Sequence, residues 1–309
     1  MLKQKLGICQ WFHYEDRTAV ESAVLHFGKL GVRHLRTDIS WADASRPNGW
    51  KWYRWLYREL HSHGMQILPC VYLTPPSISE NGNTNGPPQR LEDYADFIAR
   101  CIDEVGQWIG PYIEHWNEPN NDIKWDQQFD PFEEGRKKQG SMLRMATKVA
   151  HQAGFKPILG GMSPIDHDWI DLMTGVGAME YCEVVAIHAF PGMWNDTNWK
   201  GWDHMVEYFN QCFPDKPIWI TEIGRATSSP EGSPDIQLEC LNELALALQK
   251  HPILERAYWY SLLDLPQSKQ EIEVTAGGYK EPAEHALGLV TEKGALKPAY
   301  ARFKELLAQ

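Results

Sequence analysis

The sequence predicts a single-domain α/β protein of the (β/α)8 barrel class. Short apolar runs alternate with longer amphipathic ones, eight such pairs follow one another, and no linker or change of composition divides the 309 residues. The apolar runs are nearly continuous, which is typical of parallel strands covered on both faces. Eight strand–helix units in roughly 300 residues suit a closed barrel, so we expect residues 1–309 to form one barrel domain.

The predicted strands share a nearly continuous apolar core that ends at polar or turn-forming residues. In chain order they are Leu6–Phe12, Val32–Asp38, Gln66–Leu73, Tyr112–Asn117, Lys156–Gly161, Val184–His188, Pro217–Glu222 and Arg256–Ser261.

The predicted helices carry apolar residues at helical spacing. The first, Thr18–Leu30, opens with Thr18 and Glu21 at capping-box spacing and ends before Gly31, a frequent C-cap. The others are Trp50–His63, Leu91–Trp108, Pro131–Gln152, Asp166–Thr174, Trp202–Phe213, Asp235–Gln249 and Pro298–Leu307. An open doubly wound sheet is the alternative fold, but the nucleotide loops GxGxxG and GxxxxGKS/T that usually accompany it do not occur.

Two long segments, Thr74–Arg90 and Leu263–Glu284, follow the third and eighth predicted strands. The first is rich in Gly, Pro and Asn, and the second is polar and contains glycine. Barrel enzymes place their sites at the carboxyl ends of the strands, where both segments emerge. We therefore expect both to form walls of a substrate site.

The charge and composition narrow the possible partners. A formal net charge of −11 disfavours nucleic acid, which needs a basic face, and no run of 18 apolar residues predicts a transmembrane helix. The 14 Trp, 12 Tyr and 10 Phe could stack on sugar rings or fill the core. The sequence does not indicate an oligomeric state.

The cysteines predict a reducing compartment. No CxxC pair occurs, and several of the six lie in apolar runs: Cys9, Cys70, Cys101, Cys182, Cys212 and Cys240. The first residues, MLKQKLGICQWF, contain no apolar stretch of signal-peptide length. A cytoplasmic protein with free thiols is the simplest interpretation, although a chain that had lost its leader would look the same.

Two glutamates lie at the ends of predicted strands. Glu118 closes the fourth strand in His115-Trp116-Asn117-Glu118-Pro119, and Glu222 closes the seventh in Ile220-Thr221-Glu222-Ile223. A carboxylate directly after an apolar strand is costly unless it is paired or used. Each glutamate alone could cap a loop or bind an arginine. Both together suit a retaining glycosidase, in which two carboxyl groups stand about 5–5.5 Å apart across the scissile bond.

The same residues carry a resemblance to a known family. Asn117-Glu118-Pro119 after strand four, with Thr221-Glu222 and the following Ile-Gly after strand seven, resembles the clan of (β/α)8 retaining glycosidases called the 4/7 superfamily. The Trp-Asn-Glu-Pro-Asn run looks most similar to the β-xylosidase and α-L-iduronidase family. The resemblance implies that Glu118 is the general acid/base and Glu222 the nucleophile.

The resemblance also implies roles for four other residues. An arginine at the position of Arg36 lies under the nucleophile in the clan, and its charge would keep Glu222 ionised. Asn117 would bind the sugar 2-hydroxyl, His188 would touch the nucleophile or the sugar, and Trp259 would be a platform under the sugar. Structural alternatives remain: an Arg–Asp pair within the barrel mouth, a turn-forming asparagine, a satisfied buried histidine and a core tryptophan.

Further tryptophans are candidate sugar platforms. Trp194 and Trp199 lie in a polar loop after the sixth strand, where apolar rings are poor core candidates. Trp41, after the second strand, and Trp11 with His13, after the first, could also line the site.

We expect neither a metal nor a cofactor. No HExxH motif occurs, and no GxSxG elbow predicts a serine nucleophile. The preferred hypothesis is a retaining glycoside hydrolase with a carbohydrate substrate, xylosides or glucosides being the first to try. A transglycosylase using the same glutamates and a barrel that only binds carbohydrate are the alternatives.

Overall fold

The computed structural model describes residues 1–121, 124–126, 132–193, 199–214, 216–228, 232–266 and 282–309. Its strands are β1 (Leu6–Cys9), β2 (His34–Ser40), β3 (Gln66–Tyr72), β4 (Tyr112–His115), β5 (Lys156–Leu159), β6 (Val185–Ala189), β7 (Ile218–Ile223) and β8 (Leu254–Tyr260). Its helices are α1 (Arg17–Leu30), α2 (Trp41–Ala44), α3 (Gly49–Ser62), α4 (Glu92–Val105), α5 (Phe132–Gln152), α6 (His167–Gly175), α7 (Trp202–Cys212), α8 (Pro234–Lys250) and α9 (Pro298–Leu307).

The eight strands form one parallel sheet in the order β5-β4-β3-β2-β1-β8-β7-β6. The ends of this sheet meet just beyond β5, where Met162 pairs with Ile187 in β6. The Met162 amide donates to the Ala186 carbonyl, and the His188 amide donates to the Met162 carbonyl. The predicted (β/α)8 barrel is therefore confirmed.

Element ends differ from the sequence-based expectation in two informative places. The N-cap of α1 is Asp16, whose carboxylate accepts the Ala19 amide at 3.1 Å, so the Thr18–Glu21 capping box was wrong. An Asp side chain is a better cap than Thr. β4 ends at His115 because Trp116 adopts a left-handed φ of 69°, which strand geometry does not allow.

Two apolar layers surround the sheet. The inner layer fills the barrel with side chains from most of the strands and consists of Cys9, Leu68, Ile158, Val184, Ala186, Trp219 and Tyr258. The larger outer layer lies between strands and helices and includes Leu35, Ile113, Ile187 and Ile220. Because strand side chains alternate between faces, this division decides which residues can reach the barrel mouth.

A β-bulge interrupts the alternation in β7. Ile187 pairs with Ile220, but the next residue of β6, His188, pairs with Glu222. Thr221 is therefore an extra residue, and a bulge of this kind re-aims the side chain that follows it. Glu222 consequently points to the mouth instead of the outer layer.

Two glycines after β5 allow close contacts on the inner face. A Cβ on Gly160 would lie 2.0 Å from the Trp116 carbonyl oxygen, and a Cβ on Gly161 would lie 2.2 Å from Cδ2 of His188. Real side chains cannot approach so closely. The turn at Trp116 therefore requires a glycine at position 160, and the position of the His188 ring requires a glycine at position 161.

All six cysteines are free thiols, and only Cys212 is exposed. Among the described residues, no helix is both long and apolar enough to cross a membrane.

Gly161→Ala should destabilise the fold by about 1–3 kcal/mol, because the added methyl overpacks the contact with the His188 ring. Gly28→Ala is the matched control: a Cβ added at this position on α1 would meet nothing within 4 Å, and the change should add roughly 0.5–1 kcal/mol of stability. Urea unfolding of both variants measures the difference, and equal midpoints would contradict the close contact.

Candidate active site

Arg36 forms the floor of the site. It lies on the inner face of β2 and is completely buried. Its Nε donates to Glu114 Oε2 at 2.5 Å, and its two terminal nitrogens donate to Glu222 Oε1 at 2.5 Å and to Asn117 Oδ1 at 2.8 Å. Burial by itself lowers the pKa of Arg36, but carboxylates headed by Glu114 raise that pKa well above its usual value. The guanidinium is therefore a permanent charge.

Glu222 stands above this charge and is 6% exposed. Besides Arg36, its carboxylate faces Nδ1 of His188 at 3.6 Å and the Cys9 thiol at 3.8 Å. Burial raises the pKa of Cys9 well above its usual value, so this thiol is neutral. Glu222 thus has one full positive charge beside it, and its other neighbours are an imidazole and a neutral thiol.

Glu118 reaches the site through a strained turn. Both Trp116 and Glu118 have left-handed backbones, with φ of 69° and 45°, and such strain in non-glycine residues clusters at functional sites. The Trp116 indole is anchored by its donation to the Lys124 carbonyl at 2.9 Å. This turn directs the Glu118 carboxylate over the barrel rather than along the strand.

His188 and Asn121 hold the Glu118 carboxylate. Nδ1 of His188 lies 2.9 Å from Oε1, and Nδ2 of Asn121 donates to Oε2 at 3.1 Å. When Glu118 is ionised its carboxylate accepts this hydrogen bond, and Nδ1 of the histidine then carries the donated proton. Burial raises the pKa of Glu118, but the hydrogen bond and charge of His188, with smaller contributions from Lys124 and Ser163, lower that pKa overall.

The two carboxylates are close enough to act on one bond. Ligand-type atoms of Glu118, His188 and Glu222 all lie within 4.8 Å of one another. Retaining glycosidases hold their carboxyl groups about 5–5.5 Å apart, whereas inverting enzymes leave about 6.5–9.5 Å for a water molecule. The separation here fits direct attack by one carboxylate.

The same three side chains are the described residues that could hold a metal ion. His188 already uses Nδ1 in its hydrogen bond to Glu118, and Arg36 already places a positive charge 2.5 Å from Glu222. A divalent cation would have to displace the first contact and sit beside the second. The donor set therefore suits a paired acid and nucleophile better than a cation.

The structure brings five of the sequence-predicted site residues together at the mouth: Glu118, Glu222, Arg36, Asn117 and His188. Asn117 is 5% exposed and accepts from Arg36. The alternative of an Arg36–Asp38 pair was wrong, because Arg36 pairs with Glu114 and Glu222 instead.

Two tryptophans expected at the site are core residues. Trp259 is 0% exposed and packs in the outer layer, because Tyr258 on the same strand points inward and neighbours alternate. Trp41 is 6% exposed and stacks on Phe97 with ring centroids 5.1 Å apart. Neither ring is available to a sugar, so both expectations are corrected.

The loop tryptophans do not reach the site in the described structure. Trp199 is half-buried and packs edge-on against Trp202, with ring centroids 5.0 Å apart. Trp194 lies outside the described residues.

Tyr260 occupies the inward position expected of Trp259. It lies two residues after the inward-facing Tyr258, is half-buried, and precedes a cis peptide bond to Ser261. Trp11 lies nearby on the β1 side, with the Arg36 guanidinium carbon 4.9 Å from its ring centroid. If Tyr258 is known to point inward, the alternation of side chains along a strand predicts that Tyr260 points inward too.

Glu114 is a second residue that sequence reasoning missed. It is completely buried and holds Arg36 from the side opposite Glu222. The sequence signal that could have revealed Glu114 was a charged residue inside the apolar run of β4, four positions before Glu118.

A groove lies between the segments that follow β1 and β8. Trp11 and Tyr260 are among the residues that line it, and its volume is about 310 Å³. The charged side chains among its described lining are acidic: Asp16, Asp264, Glu284 and Glu292. The described lining contains no lysine or arginine.

Comparison with known proteins gives one family. The model of the family described as the glycosyl hydrolase catalytic core matches residues 124–278, half of the chain.

Solved structures of similar fold come from several bacteria. A GH5 protein from Bifidobacterium longum subsp. infantis has a TM-score of 0.73 at 17% identity, with 99% of this chain and 78% of that one covered. A family 39 glycoside hydrolase from the gut symbiont Bacteroides cellulosilyticus WH2 gives 0.71 at 15% identity, with 100% and 64% covered. A β-glucosidase from Exiguobacterium marinum gives 0.69 at 13% identity, with 100% and 98% covered. At these identities the likeness shows a shared fold.

Proposed function

The chain belongs to the glycosyl hydrolase catalytic core family, and from that premise we propose that it is a retaining glycoside hydrolase that cleaves a β-glycosidic bond. The observation that carries the proposal is the 4.8 Å limit within which carboxylate oxygens of Glu118 and Glu222 lie. That spacing is near the separation of about 5–5.5 Å typical of retaining enzymes and below the roughly 6.5–9.5 Å of inverting ones.

The reaction proceeds in two displacements. Glu222 attacks the anomeric carbon while Glu118 gives its proton to the leaving oxygen, which breaks the glycosidic bond and forms a glycosyl ester on Glu222. Glu118, now ionised, takes a proton from water, which attacks the same carbon and releases Glu222. Two inversions return the sugar in its original configuration.

The surroundings support this division of roles. Arg36 touches Glu222 and not Glu118, and a fixed positive charge stabilises the ionised form that a nucleophile must have. Glu118 contacts His188 and Asn121, which can accommodate either a proton donor or an ionised base. Asn117 accepts from Arg36 through Oδ1, so its amide Nδ2 remains to meet a sugar hydroxyl.

The lowered pKa of Glu118 suits the second displacement more than the first. A general acid must hold its proton, and a base must not. Entry of the sugar excludes water and strengthens the effect of burial, which raises the pKa of Glu118. We expect the reaction to run best on the acidic side of neutrality.

A neutral β-linked sugar is the substrate class we propose, with β-xylosides and β-glucosides tested first. The described lining of the groove contains no lysine or arginine that could pair with a uronate carboxylate. The Trp-Asn-Glu-Pro-Asn run supports placing the chain nearest the β-xylosidase and α-L-iduronidase family. Hydrolysis is favoured over carbohydrate binding alone because binding gives no use to four buried ionisable groups, Arg36, Glu114, His188 and Glu222.

A 2-fluoro glycosyl fluoride should label wild-type protein covalently at Glu222, because the fluorine slows hydrolysis of the glycosyl ester more than its formation. Glu222→Ala should take no label and lose nearly all turnover. Glu118→Ala is the matched control, and it should still be labelled because fluoride leaves without a proton. Peptide mass spectrometry locates the label. Turnover without any label on Glu222 would contradict the assignment of Glu222 as the nucleophile.

His188→Phe should move the alkaline limb of the pH profile of kcat/KM to higher pH by about one unit. The donated Nδ1–H lowers the pKa of Glu118, so its loss raises that pKa, and the acid keeps its proton to higher pH. The Nε2 atom of His188 is buried without a hydrogen-bond partner, so the substitution removes only the contacts of Nδ1, with Glu118 at 2.9 Å and with Glu222 at 3.6 Å.

His115→Phe is the control for the pH profile. His115 is also buried, and burial lowers its pKa to about 3, so it stays neutral over the range of the assay. Its substitution should leave the limb in place. A limb that does not move in His188→Phe, or moves to lower pH, would contradict the assignment of Glu118 as the acid.

A further inference from the structure

We propose that Glu114 is a positioning residue for this reaction, which holds the Arg36 guanidinium so that one rigid group orients both Glu222 and Asn117. The proposal rests on the proposed function, since it concerns the same two displacements. Glu114 itself would not touch the substrate, because it is completely buried beneath the mouth.

Both oxygens of Glu114 are engaged. Oε2 accepts from Arg36 Nε at 2.5 Å, and Oε1 accepts from the second terminal nitrogen at 3.1 Å. Oε1 also accepts from the Gly161 amide at 3.0 Å. The carboxylate therefore has a fixed orientation, set by a side chain of β2 and by the backbone that follows β5.

The planarity of the guanidinium transmits this orientation. Its edge toward Glu114 uses Nε and one terminal nitrogen, and that terminal nitrogen also donates to Asn117 at 2.8 Å. The other terminal nitrogen donates to Glu222 at 2.5 Å and to the Cys9 thiol at 3.3 Å. Because the five N–H groups lie in one rigid plane, fixing one edge fixes the direction of the bond to Glu222.

Glu114 also balances charge. Arg36, Glu114 and Glu222 together carry one net negative charge when both carboxylates are ionised, so Glu222 stays available to attack. Without Glu114, the full guanidinium charge would face Glu222 alone in a buried setting where charges interact strongly. A carboxylate held that tightly is a weaker nucleophile, because the stabilising contact must weaken as the new bond forms.

A structural role alone predicts a different pattern. Removing one partner of a buried ion pair leaves an uncompensated charge and is strongly destabilising, so a purely structural Glu114 would affect the unfolding midpoint and leave the kinetics of the folded enzyme unchanged. A positioning role instead predicts a loss in kcat with little change in KM, and this loss should disappear once Arg36 is absent.

The test is a double-mutant cycle with Glu114→Gln, Arg36→Met and the double variant. The readouts are kcat and KM on an aryl β-glycoside that wild type hydrolyses, and the labelling rate with its 2-fluoro glycosyl fluoride. Glu114→Gln should lower kcat and the labelling rate by about tenfold to a hundredfold, as small misplacements of reacting groups do. KM should stay within about twofold.

The double variant should be no more than about threefold slower than Arg36→Met, since Glu114 acts through Arg36. Glu104→Gln is the matched control, because Glu104 pairs with Arg54 and Arg100 on the outside of the barrel; its kcat should equal that of wild type. Losses that multiply in the double variant would overturn the proposal, as would a wild-type kcat in folded Glu114→Gln.

Should Glu114→Gln fail to fold, Glu114→Asp takes its place. The shorter side chain keeps the charge but cannot reach both Arg36 nitrogens, so kcat should fall at least about tenfold at unchanged KM; a wild-type kcat would overturn the proposal. A wild-type protein that neither turns over nor takes label would instead refute the proposed function, so the two failures are distinguishable.

Discussion

The buried guanidinium of Arg36 is the interaction on which the site depends. A completely buried charge is costly unless acceptors surround it, and here Glu114, Glu222 and Asn117 supply them from three directions. The need to surround the buried charge with acceptors therefore constrains where those three side chains lie. In this chain Glu114 of β4 and Glu222 of β7 lie within hydrogen-bond reach of the guanidinium, and so does Asn117, in the turn that leads to Glu118.

Local departures from regular strand geometry bring those groups into reach. In an undisturbed β7, alternation would aim Glu222 away from the barrel, and the bulge at Thr221 reverses this. In β4, the left-handed turn at Trp116 lifts Glu118 over the mouth. The missing side chains of Gly160 and Gly161 leave space for that turn and for the His188 ring. Each departure strains the backbone or removes packing contacts. The regular barrel around the site supplies the stability that offsets this loss.

Much of this arrangement could be predicted from the sequence. The eight strands, the helices and the barrel follow from hydrophobic periodicity, and strand ends in a barrel must share one rim. The sequence also allowed four site residues to be predicted, because a polar residue at the end of an apolar run is conspicuous: Glu118, Glu222, Arg36 and His188.

What the sequence could not supply was the direction of each side chain. Trp259 and Tyr260 differ by one position, and the face that looks inward depends on the register of the whole sheet. Glu114 escaped notice because a carboxylate inside an apolar strand is interpretable only once its arginine is known.

The shared consequence of these constraints is that one carboxylate oxygen of Glu118 and one of Glu222 lie within 4.8 Å of each other. Our central proposal is that this spacing serves a double displacement. The most direct measurement is the anomeric configuration of the first product, followed by proton NMR during the first minutes of hydrolysis of an aryl β-glycoside. Double displacement predicts that the β-anomer appears first and that the α-anomer grows in later by mutarotation. Initial release of the α-anomer would contradict the account, because it would require a water between sugar and carboxylate.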